Sequence, residues 1–487
     1  MKKTLLVFAA SVFLLAGCGK KQQQRDLHSE ADLAGLKVGV TTGTAHDIRL
    51  SQRTDLTTLK FNMPSDAIMA LSQGKVDAFV EDESSISAAE MKRLGIRIAF
   101  YGDEAIPCGI PLRKNEHGLR DSLSHFIDSL KATGELQEIH DRWFQCENYT
   151  DATIPDLGPE PKGRPLVAGG AIELPPMGYH VGDDWRGFEP ELLKRFGRYA
   201  GRPVTFEFYP IASVIQALQT GKIDLFFGGV FITEDRKKTM DFTSSDVDIR
   251  AACFVKDESA HGSAGFFAGL KEMVHNNLIV ENRWKYITGG LWETVKISVL
   301  AILLGSLLGS GVCWMRMNRR RWMAGTAKVY IDLMRGIPIL VLLMIMFYVV
   351  LAPTGLSGTA VAVVAFAMNF AAYVSEMFRT AIGAVGKGQT EAGLALGLTR
   401  WQTFRHVVAP QALRNVLPVY KGEAISLVKT TSIVGYIAIQ DLTRASDIIR
   451  TRTFDALFPL LIVTIIYFIL AWLLGKGLDL LVMKKRS

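Results

Sequence analysis

The chain has 487 residues, which at about 150 residues per domain predicts roughly three folded units instead of one compact domain. Hydrophobic residues make up 49% and charged residues 21%, a balance that excludes a disordered chain and indicates separate soluble and membrane parts. The net charge is +7, but no long basic patch interleaved with aromatic residues indicates nucleic-acid binding. The five cysteines lack Cys-x-x-Cys spacing and a nearby histidine pair, so we expect no zinc site and no disulfide scaffold.

The chain begins with the features of an export signal. Two lysines precede an uncharged apolar run over 4–16 that is too short to span about 30 Å of hydrocarbon. The Leu-Ala-Gly-Cys sequence that ends at Cys18 resembles the lipobox of bacterial lipoproteins, in which the cysteine receives lipid. We therefore predict a lipoprotein signal peptide over 1–18, lipidation at Cys18 and a tether over 19–27, with a short first membrane helix as the alternative. Either interpretation places the following residues outside the cytoplasm.

An internal repeat organises the soluble region. Residues 65–79 recur as 212–226, with Ala-Leu, Gly-Lys, Asp and Phe in register. Each copy is typical of an amphipathic helix that ends at a glycine and is followed by a buried strand, and each follows a strand and a glycine-bearing turn. The repeat predicts two similar α/β lobes, joined by a proline-containing linker over 146–164.

Segments in both copies resemble the amino-acid-binding proteins of ABC importers. In that family, a glycine, a threonine and an arginine of the segment corresponding to 229–243 hold the ligand carboxylate. The resemblance assigns this role to Gly229 and Arg236, while Phe231 stands at the threonine position. Residues 76–82 are similar to the strand whose final aspartate binds the ligand ammonium group, which assigns that role to Asp82.

Further pocket residues follow from the same resemblance. Thr41 to Thr44 are similar to the loop that completes the carboxylate site, whereas Glu81 and Glu173 are unusual additions. Glu173 either contacts a cationic ligand side chain or is a surface carboxylate. A zwitterion that leaves water needs a bidentate cation for its carboxylate and an anion for its ammonium, and placing these on opposite lobes would make binding close the cleft. The aromatic clamp of the family is weakened, which leaves the identity of the amino acid open.

The order of the lobes departs from the family. Residues 28–145 resemble the second lobe with its returning helices, and residues 165–256 resemble the first lobe. A circular permutation explains this order if 146–164 joins the old termini, because permutation is tolerated where termini lie close together at the surface. Two decayed binding domains, each retaining one lobe, are the alternative.

The C-terminal part has the hydropathy of a membrane domain. After a linker over 257–285, the region 286–487 contains segments long and apolar enough to span a bilayer, at about 290–314, 328–351, 358–382, 417–440 and 457–482. Basic residues follow the first span and end the chain, which fits cytoplasmic placement there and an extracytoplasmic binding domain. We predict a multi-pass protein of the bacterial inner membrane.

The loop between the third and fourth segments resembles the coupling loop of ABC permeases. The family pattern is Glu-Ala-Ala, three residues, Gly, nine residues, Ile, one residue, Leu-Pro; the residues that keep this spacing are Glu391, Ala392, Gly397 and Pro410. Gly393 departs from the pattern, and we expect it to loosen the short helix by about 1 kcal/mol relative to alanine. Further matches at 334–338, 387–389 and 429–433 are similar to the histidine/glutamine-type permeases for polar amino acids, over about 285–485.

The combined prediction is a subunit of an amino-acid ABC importer that captures its own substrate. We expect an α/β two-lobed domain like the periplasmic binding proteins of type II, followed by an all-α membrane domain of five transmembrane helices like a type I ABC importer permease. No Gly-x-x-x-x-Gly-Lys-Ser/Thr pattern occurs, so a separate ATPase dimer would bind ATP and the chain itself would need no cofactor. One five-span half cannot enclose a path, so we expect a homodimer in membrane lipid.

Two other functional classes explain part of the sequence. An amino-acid-gated ion channel also joins a two-lobed receptor to membrane spans, but channels lack the coupling loop. A binding-protein-derived dehydratase tethered to the membrane would use Glu81 or Glu173 as its acid/base, but it leaves the spans and the loop unexplained. We therefore predict a transport subunit and no enzyme.

Overall fold

The structure, a computed structural model, describes residues 26–146, 151–170, 175–181, 184–209, 211–257, 271, 273–455 and 457–483. Internal contacts divide the chain into two compact units, which lie within Met1–Ile106 with Ile249–Ser263 and within Pro107–Asp248 with Ala264–Ser487. The strands of the two large sheets and of one small hairpin are β1 Lys37–Thr41, β2 Thr57–Phe61, β3 Ala78–Asp82, β4 Ile96–Cys108, β5 Pro111–Arg113, β6 Leu166–Gly170, β7 Tyr179–Val181, β8 Asp184–Arg186, β9 Val204–Phe208, β10 Leu225–Phe227, β11 Met240–Phe242 and β12 Val247–Lys256.

The first unit is built on a five-stranded sheet with the order β2-β1-β3-β12-β4. Strand β1 pairs in parallel with β2 and β3, and β12 pairs antiparallel to β3. Three helices connect the strands, namely α1 Ala45–Leu50, α2 Pro64–Ser72 and α3 Ala88–Leu94. Apolar residues that alternate along β1 and β3, among them Val38, Val40 and Val80, are buried in the core of this unit.

The soluble part of the second unit has a sheet of the same design. Its order is β11-β5-β10-β6-β9, with β6 parallel to β9 and β10 and with β5 antiparallel to β10. The helices of this part are α4 His117–Thr133, α5 Glu135–Phe144, α6 Phe188–Ala200, α7 Ile211–Gln219 and α8 Glu234–Lys237. Read in the same direction, the two sheets have the orders β2-β1-β3-β12-β4 and β9-β6-β10-β5-β11. The fourth position in each order is occupied by a strand that we call the inserted strand, β12 in the first sheet and β5 in the second. Along the chain, each inserted strand directly follows the last strand of the other sheet.

The sequence repeat explains this similarity, and the two sheets with their helices confirm the predicted pair of α/β lobes. Its first copy forms α2 and leads into β3, and its second copy forms α7 and leads into β10. The glycines after the helices, Gly74 and Gly221, have φ of +68° and +73°. This left-handed conformation is the one that glycine adopts at helix ends without steric cost.

The rest of the second unit is helical, as predicted for the membrane domain. Its helices are α9 Trp284–Arg316, α10 Arg321–Gly336, α11 Ile339–Ile345, α12 Gly358–Gly383, α13 Lys387–Ala395, α14 Arg400–Thr403, α15 Ala409–Thr430, α16 Leu442–Thr453 and α17 Leu457–Met483. Within the described residues, three of these helices are long and apolar enough to cross a membrane: α9, α12 and α17 up to Leu480. Helix α12 lies at the centre and packs extensively against α9.

The second predicted span differs from the expectation. The predicted segment 328–351 is not one straight helix, because the helical segments Arg321–Gly336 and Ile339–Val350 are bent by 107° relative to each other. Pro338 has no N–H to donate and disfavours helical backbone at the preceding residue, so the helix ends there. The bent pair adds at most one further span, and the predicted segment 417–440 coincides with α15 and a 3₁₀ turn over Thr431–Ile437.

Candidate binding site and coupling loop

The predicted residues of the first unit meet at one edge of its sheet. Thr41 ends β1 and Asp82 ends β3, and the carboxyl ends of parallel strands share the edge at which α/β folds bind ligands. The Thr41 hydroxyl donates a hydrogen bond to the Glu81 carboxylate. Thr44 caps α1 by accepting a hydrogen bond from the backbone N–H of Asp47. Thr41, Glu81 and Asp82 are buried.

His46 completes this cluster, although the sequence analysis did not identify it. Its Nε2 lies 2.8 Å from Oδ1 of Asp82, and the residue is only 1% exposed. Ligand atoms of His46, Glu81 and Asp82 lie within 4.8 Å of one another, which is close enough for the three side chains to hold a cation. The available signal was its position two residues after Thr44, in the loop already assigned to the ligand site.

Burial shifts the titration of this cluster. Burial and the neighbouring charge of Asp82 raise the pKa of Glu81 to about 7, against the opposing effects of His46 and Thr41. Burial alone would lower the pKa of His46, but the hydrogen bond to Asp82 and the charges of both carboxylates raise it. The raised pKa values of Glu81 and His46 keep protons on this cluster up to near neutral pH, so a cation that binds there would have to displace them.

The raised pKa of Glu81 predicts that the first unit loses stability as the pH rises. The pKa of an ordinary glutamate is 4.5 and that of folded Glu81 about 7, so its contribution is complete below pH 4.5 and is lost as the pH rises through 7. The raised pKa of His46 acts in the same direction. Hydrogen exchange of β1 and β3 in the full chain, corrected for intrinsic rates, should give a lower opening free energy at pH 8 than at pH 5.5. Glu81→Gln should reduce this difference in opening free energy between the two pH values. An unchanged difference in the variant would contradict the raised pKa of Glu81 as its cause.

The second unit holds its predicted residues in the loop after β10. Gly228 and Gly229 both have positive φ, and their N–H groups donate hydrogen bonds to the carboxylate of Glu189, which is fully buried in α6. Phe231 is buried, and its carbonyl oxygen accepts a hydrogen bond from Nη1 of Arg236 over 3.2 Å. Arg236 is partly exposed on α8. Within this unit, Glu189 therefore shapes the loop that carries the predicted carboxylate ligands.

Glu189 is a positioning residue that the sequence analysis missed. Burial and the nearby charge of Asp246 raise the pKa of Glu189 well above its ordinary range, although the two glycine N–H groups oppose the shift. Burial likewise raises the pKa of Asp246 to about 7. The two other predicted sites, Glu173 and Cys18, lie outside the described residues.

The coupling-loop motif forms a short helix with a glycine stop. Helix α13 contains Glu391 and Ala392 on its exposed side. After this helix, Gly397 has φ +81°. The Gly397 N–H donates a hydrogen bond to the carbonyl oxygen of Leu394, and the Leu398 N–H donates one to the carbonyl oxygen of Gly393. These paired bonds are the usual termination of a helix by a left-handed glycine. Pro410 lies in the first turn of α15, where its missing N–H is tolerated.

Gly393 has a packing role that helix propensity alone does not show. A Cβ atom at this position would lie 2.6 Å from Cγ2 and 3.0 Å from Oγ1 of the buried Thr403. The expected loosening of the helix is therefore accompanied by close packing of α13 on α14. The Thr403 side chain occupies the space that the Cβ atom of an alanine would need at this position of the Glu-Ala-Ala motif.

This contact predicts an unusual response to alanine. Gly393→Ala should destabilise the loop and reduce transport several-fold, because overpacking costs about 1–3 kcal/mol whereas alanine's helix propensity returns only about 1 kcal/mol. Removing the opposing atoms in Gly393→Ala/Thr403→Ala should restore transport. Uptake by cells and proteolysis of the purified chain would measure both effects. Full activity of the single variant, or no rescue in the double variant, would contradict this packing role.

Apolar side chains are exposed next to the coupling helix. Leu396 is 82% exposed and Trp401 66% exposed, and Leu394 is also exposed on α13. Exposed apolar groups beside a short helix are typical of a surface that a partner covers.

Comparisons with known proteins match the C-terminal part. A family model described as "Binding-protein-dependent transport system inner membrane component" matches residues 301–486, which include the coupling loop. The "Probable amino-acid ABC transporter permease protein YckA" of Bacillus subtilis is 34% identical over 198 residues, 40% of this chain and 87% of the relative. The "Glutamate/aspartate import permease protein GltK" of Escherichia coli is 32% identical over 212 residues, 42% of this chain and 93% of the relative. A "Crystal structure of an amino acid ABC transporter with histidines" is 33% identical, with TM-score 0.39, over 46% of this chain and 100% of that chain.

Proposed function

The chain belongs to the family of binding-protein-dependent transport system inner membrane components, and from this premise we propose that it is an amino-acid importer subunit that also captures its own substrate. The observation that carries the proposal is the presence of a two-lobed α/β domain on the same chain as the permease helices. The matched relatives are transport permeases, so the channel and dehydratase alternatives are set aside.

Capture of an amino acid would use one charged group from each lobe. Asp82 would bind the ligand ammonium group, supported by its place in a compact acidic cluster at the carboxyl edge of the first sheet. Arg236 would bind the carboxylate, beside a loop whose shape Glu189 maintains. Because His46 already pairs with Asp82, the ammonium group would either share the Asp82 carboxylate with the imidazole or displace the imidazole from it.

Transport would be driven from the coupling loop. A separate ATPase dimer would bind ATP and receive α13 together with the exposed Leu396 and Trp401. A second copy of the chain would complete the path between the helices, and the exposed apolar residues of α17 support its coverage by lipid or by that copy. One relative is named as an amino-acid transporter permease and another as a glutamate/aspartate import permease, which supports an amino acid as the substrate.

A circular permutation is the preferred origin of the binding domain. The inserted strands β5 and β12 directly follow the last strand of the other sheet, so each sheet is completed by a segment from the other half. Two decayed domains would not need this reciprocal exchange. The proposed boundaries are lobes over 28–145 and 165–256, linkers over 146–164 and 257–285, and a membrane domain over 286–487, with a lipidated Cys18 and an extracytoplasmic binding domain.

Uptake by the source bacterium tests the proposed function. Cells with and without the gene for this chain would be given each of the twenty ¹⁴C-labelled amino acids. We expect uptake of one or a few to fall without the gene and to return with the wild-type gene but not with Asp82→Ala. Unchanged uptake of all twenty would contradict the function, and full rescue by Asp82→Ala would contradict capture by this chain.

A further inference from the structure

A cavity of about 710 Å³ lies inside the second unit, where the soluble lobe meets the helix ends of the membrane domain. The lobe contributes Trp185, Glu207 and Lys222 to its wall, among others. The membrane domain contributes Glu293, Phe347 and the segment 355–359, among others. Its volume lies within the range of about 300–1,000 Å³ that is usual for small-molecule sites.

The cavity lies at the end of the membrane domain opposite the coupling loop. Helix α12 begins at Gly358, in the cavity wall, and ends at Gly383, four residues before α13. Its 26 residues span about 39 Å at 1.5 Å per residue. A solute in the cavity would therefore sit at the face of the helices that carries the soluble lobe, far from the proposed ATPase contact.

Direct contacts hold the two walls of the cavity together. The guanidinium group of Arg444 lies 3.9 Å from the ring centroid of Phe208, and Nζ of Lys222 lies 4.7 Å from that of Phe347. Buried residues of the lobe, Tyr209 and Val214 among them, belong to the same apolar cluster as Phe347. These cation–π and apolar contacts fix the lobe on the helix ends. They also give Arg444 of α16 a role in this attachment.

The charges around the cavity suit a zwitterion. Lys222 supplies a cation on the lobe side, while Glu207 and Glu293 supply one anion from each wall. Glu207 accepts a hydrogen bond from Tyr209 over 2.6 Å, and Glu293 accepts one from Thr359 and pairs with Lys296. The aromatic residues Trp185, Phe208 and Phe347 line the same space. Opposite charges beside apolar surface match an α-amino acid, whose carboxylate and ammonium flank a side chain.

We propose that this cavity is a second amino-acid site, through which the solute passes from the soluble lobe to the membrane helices. Lys222 binds the carboxylate, and Glu207 with Glu293 binds the ammonium group. The site is distinct from the Asp82 and Arg236 site and rests on the proposed function, because it needs an amino acid as the transported solute.

Binding stoichiometry of the full chain in detergent tests this site. The probe is an equimolar mixture of the twenty amino acids at millimolar concentration, and native mass spectrometry counts the molecules bound per chain. We expect two per wild-type chain and one in Lys222→Met and in Glu293→Gln. The matched control is Lys75→Met, which changes the equivalent lysine in the other copy of the repeat, where the side chain is exposed; it should keep two.

The outcomes separate this inference from the proposed function. One molecule per wild-type chain that is lost in Asp82→Ala would overturn the second site and leave the proposed function standing. Two molecules in wild type and in both cavity variants would also overturn it. One molecule retained in Asp82→Ala but lost in Lys222→Met would support the cavity and contradict the Asp82 site. No bound amino acid in wild type would contradict both.

Discussion

Amino-acid binding by the full chain is expected to weaken at least tenfold when either Asp82 or Arg236 is replaced by alanine. A hydrogen bond to a charged group contributes about 1.5–3 kcal/mol, which corresponds to roughly 10- to 160-fold in affinity. Each substitution also leaves one ligand charge without its counterion. Isothermal titration of the purified chain in detergent with the transported amino acid would measure the change.

Matched substitutions control for general effects of charge removal. Asp55→Ala and Arg250→Ala remove charges from exposed ion pairs, Arg53 with Asp55 and Arg250 with Glu83, and should leave affinity unchanged. Unchanged affinity in both Asp82→Ala and Arg236→Ala would contradict the assigned ligand pocket. Equal losses in the controls would show that the effect is not specific to these sites.

The second large effect is expected at the coupling helix. Glu391→Lys should reduce uptake to background while leaving amino-acid affinity within twofold of wild type, because it reverses an exposed charge on the surface proposed for the ATPase. Uptake of labelled substrate and ligand titration of the same variant would test both halves of the prediction. Glu138→Lys, an exposed reversal on α5 of the soluble part, should transport normally. Normal uptake by Glu391→Lys would contradict the docking role of α13.

Local signals were sufficient to predict the two lobes and the coupling helix. Gly74, Gly221 and Gly397 all have positive φ, a conformation that other residues adopt with strain. The sequence positions of such helix ends are therefore recognisable without any knowledge of tertiary contacts. In the repeat, the same Gly-Lys signal marks the passage from helix to buried strand in both copies.

The roles of His46 and Glu189 depend on contacts that the local sequence does not contain. His46 pairs with Asp82 across 36 positions, and Glu189 accepts hydrogen bonds from a loop about 40 positions away. In sequence, a single histidine or a glutamate in the first turn of a helix is compatible with an ordinary exposed position. Only burial distinguishes these two side chains from surface residues.

The bend in the membrane domain and the packing at Gly393 also depend on more than the local sequence. Hydropathy over 328–351 sums side-chain character and carries no information on chain direction, so it did not predict the bend at Pro338. Helix propensity at Gly393 describes the isolated helix, whereas Thr403, ten positions later, determines how much space is available for a side chain at position 393. Both outcomes are set by geometry beyond the local segment.

The most direct test of substrate capture by this chain is a thermal-shift screen of the full chain in detergent against the twenty amino acids. A ligand that binds only the folded state raises the unfolding midpoint. We predict that one or a few amino acids raise the midpoint of the soluble domain, and that Asp82→Ala and Arg236→Ala reduce this shift. A cooperative transition that none of the twenty amino acids shifts would contradict the claim that the permease carries its own amino-acid receptor.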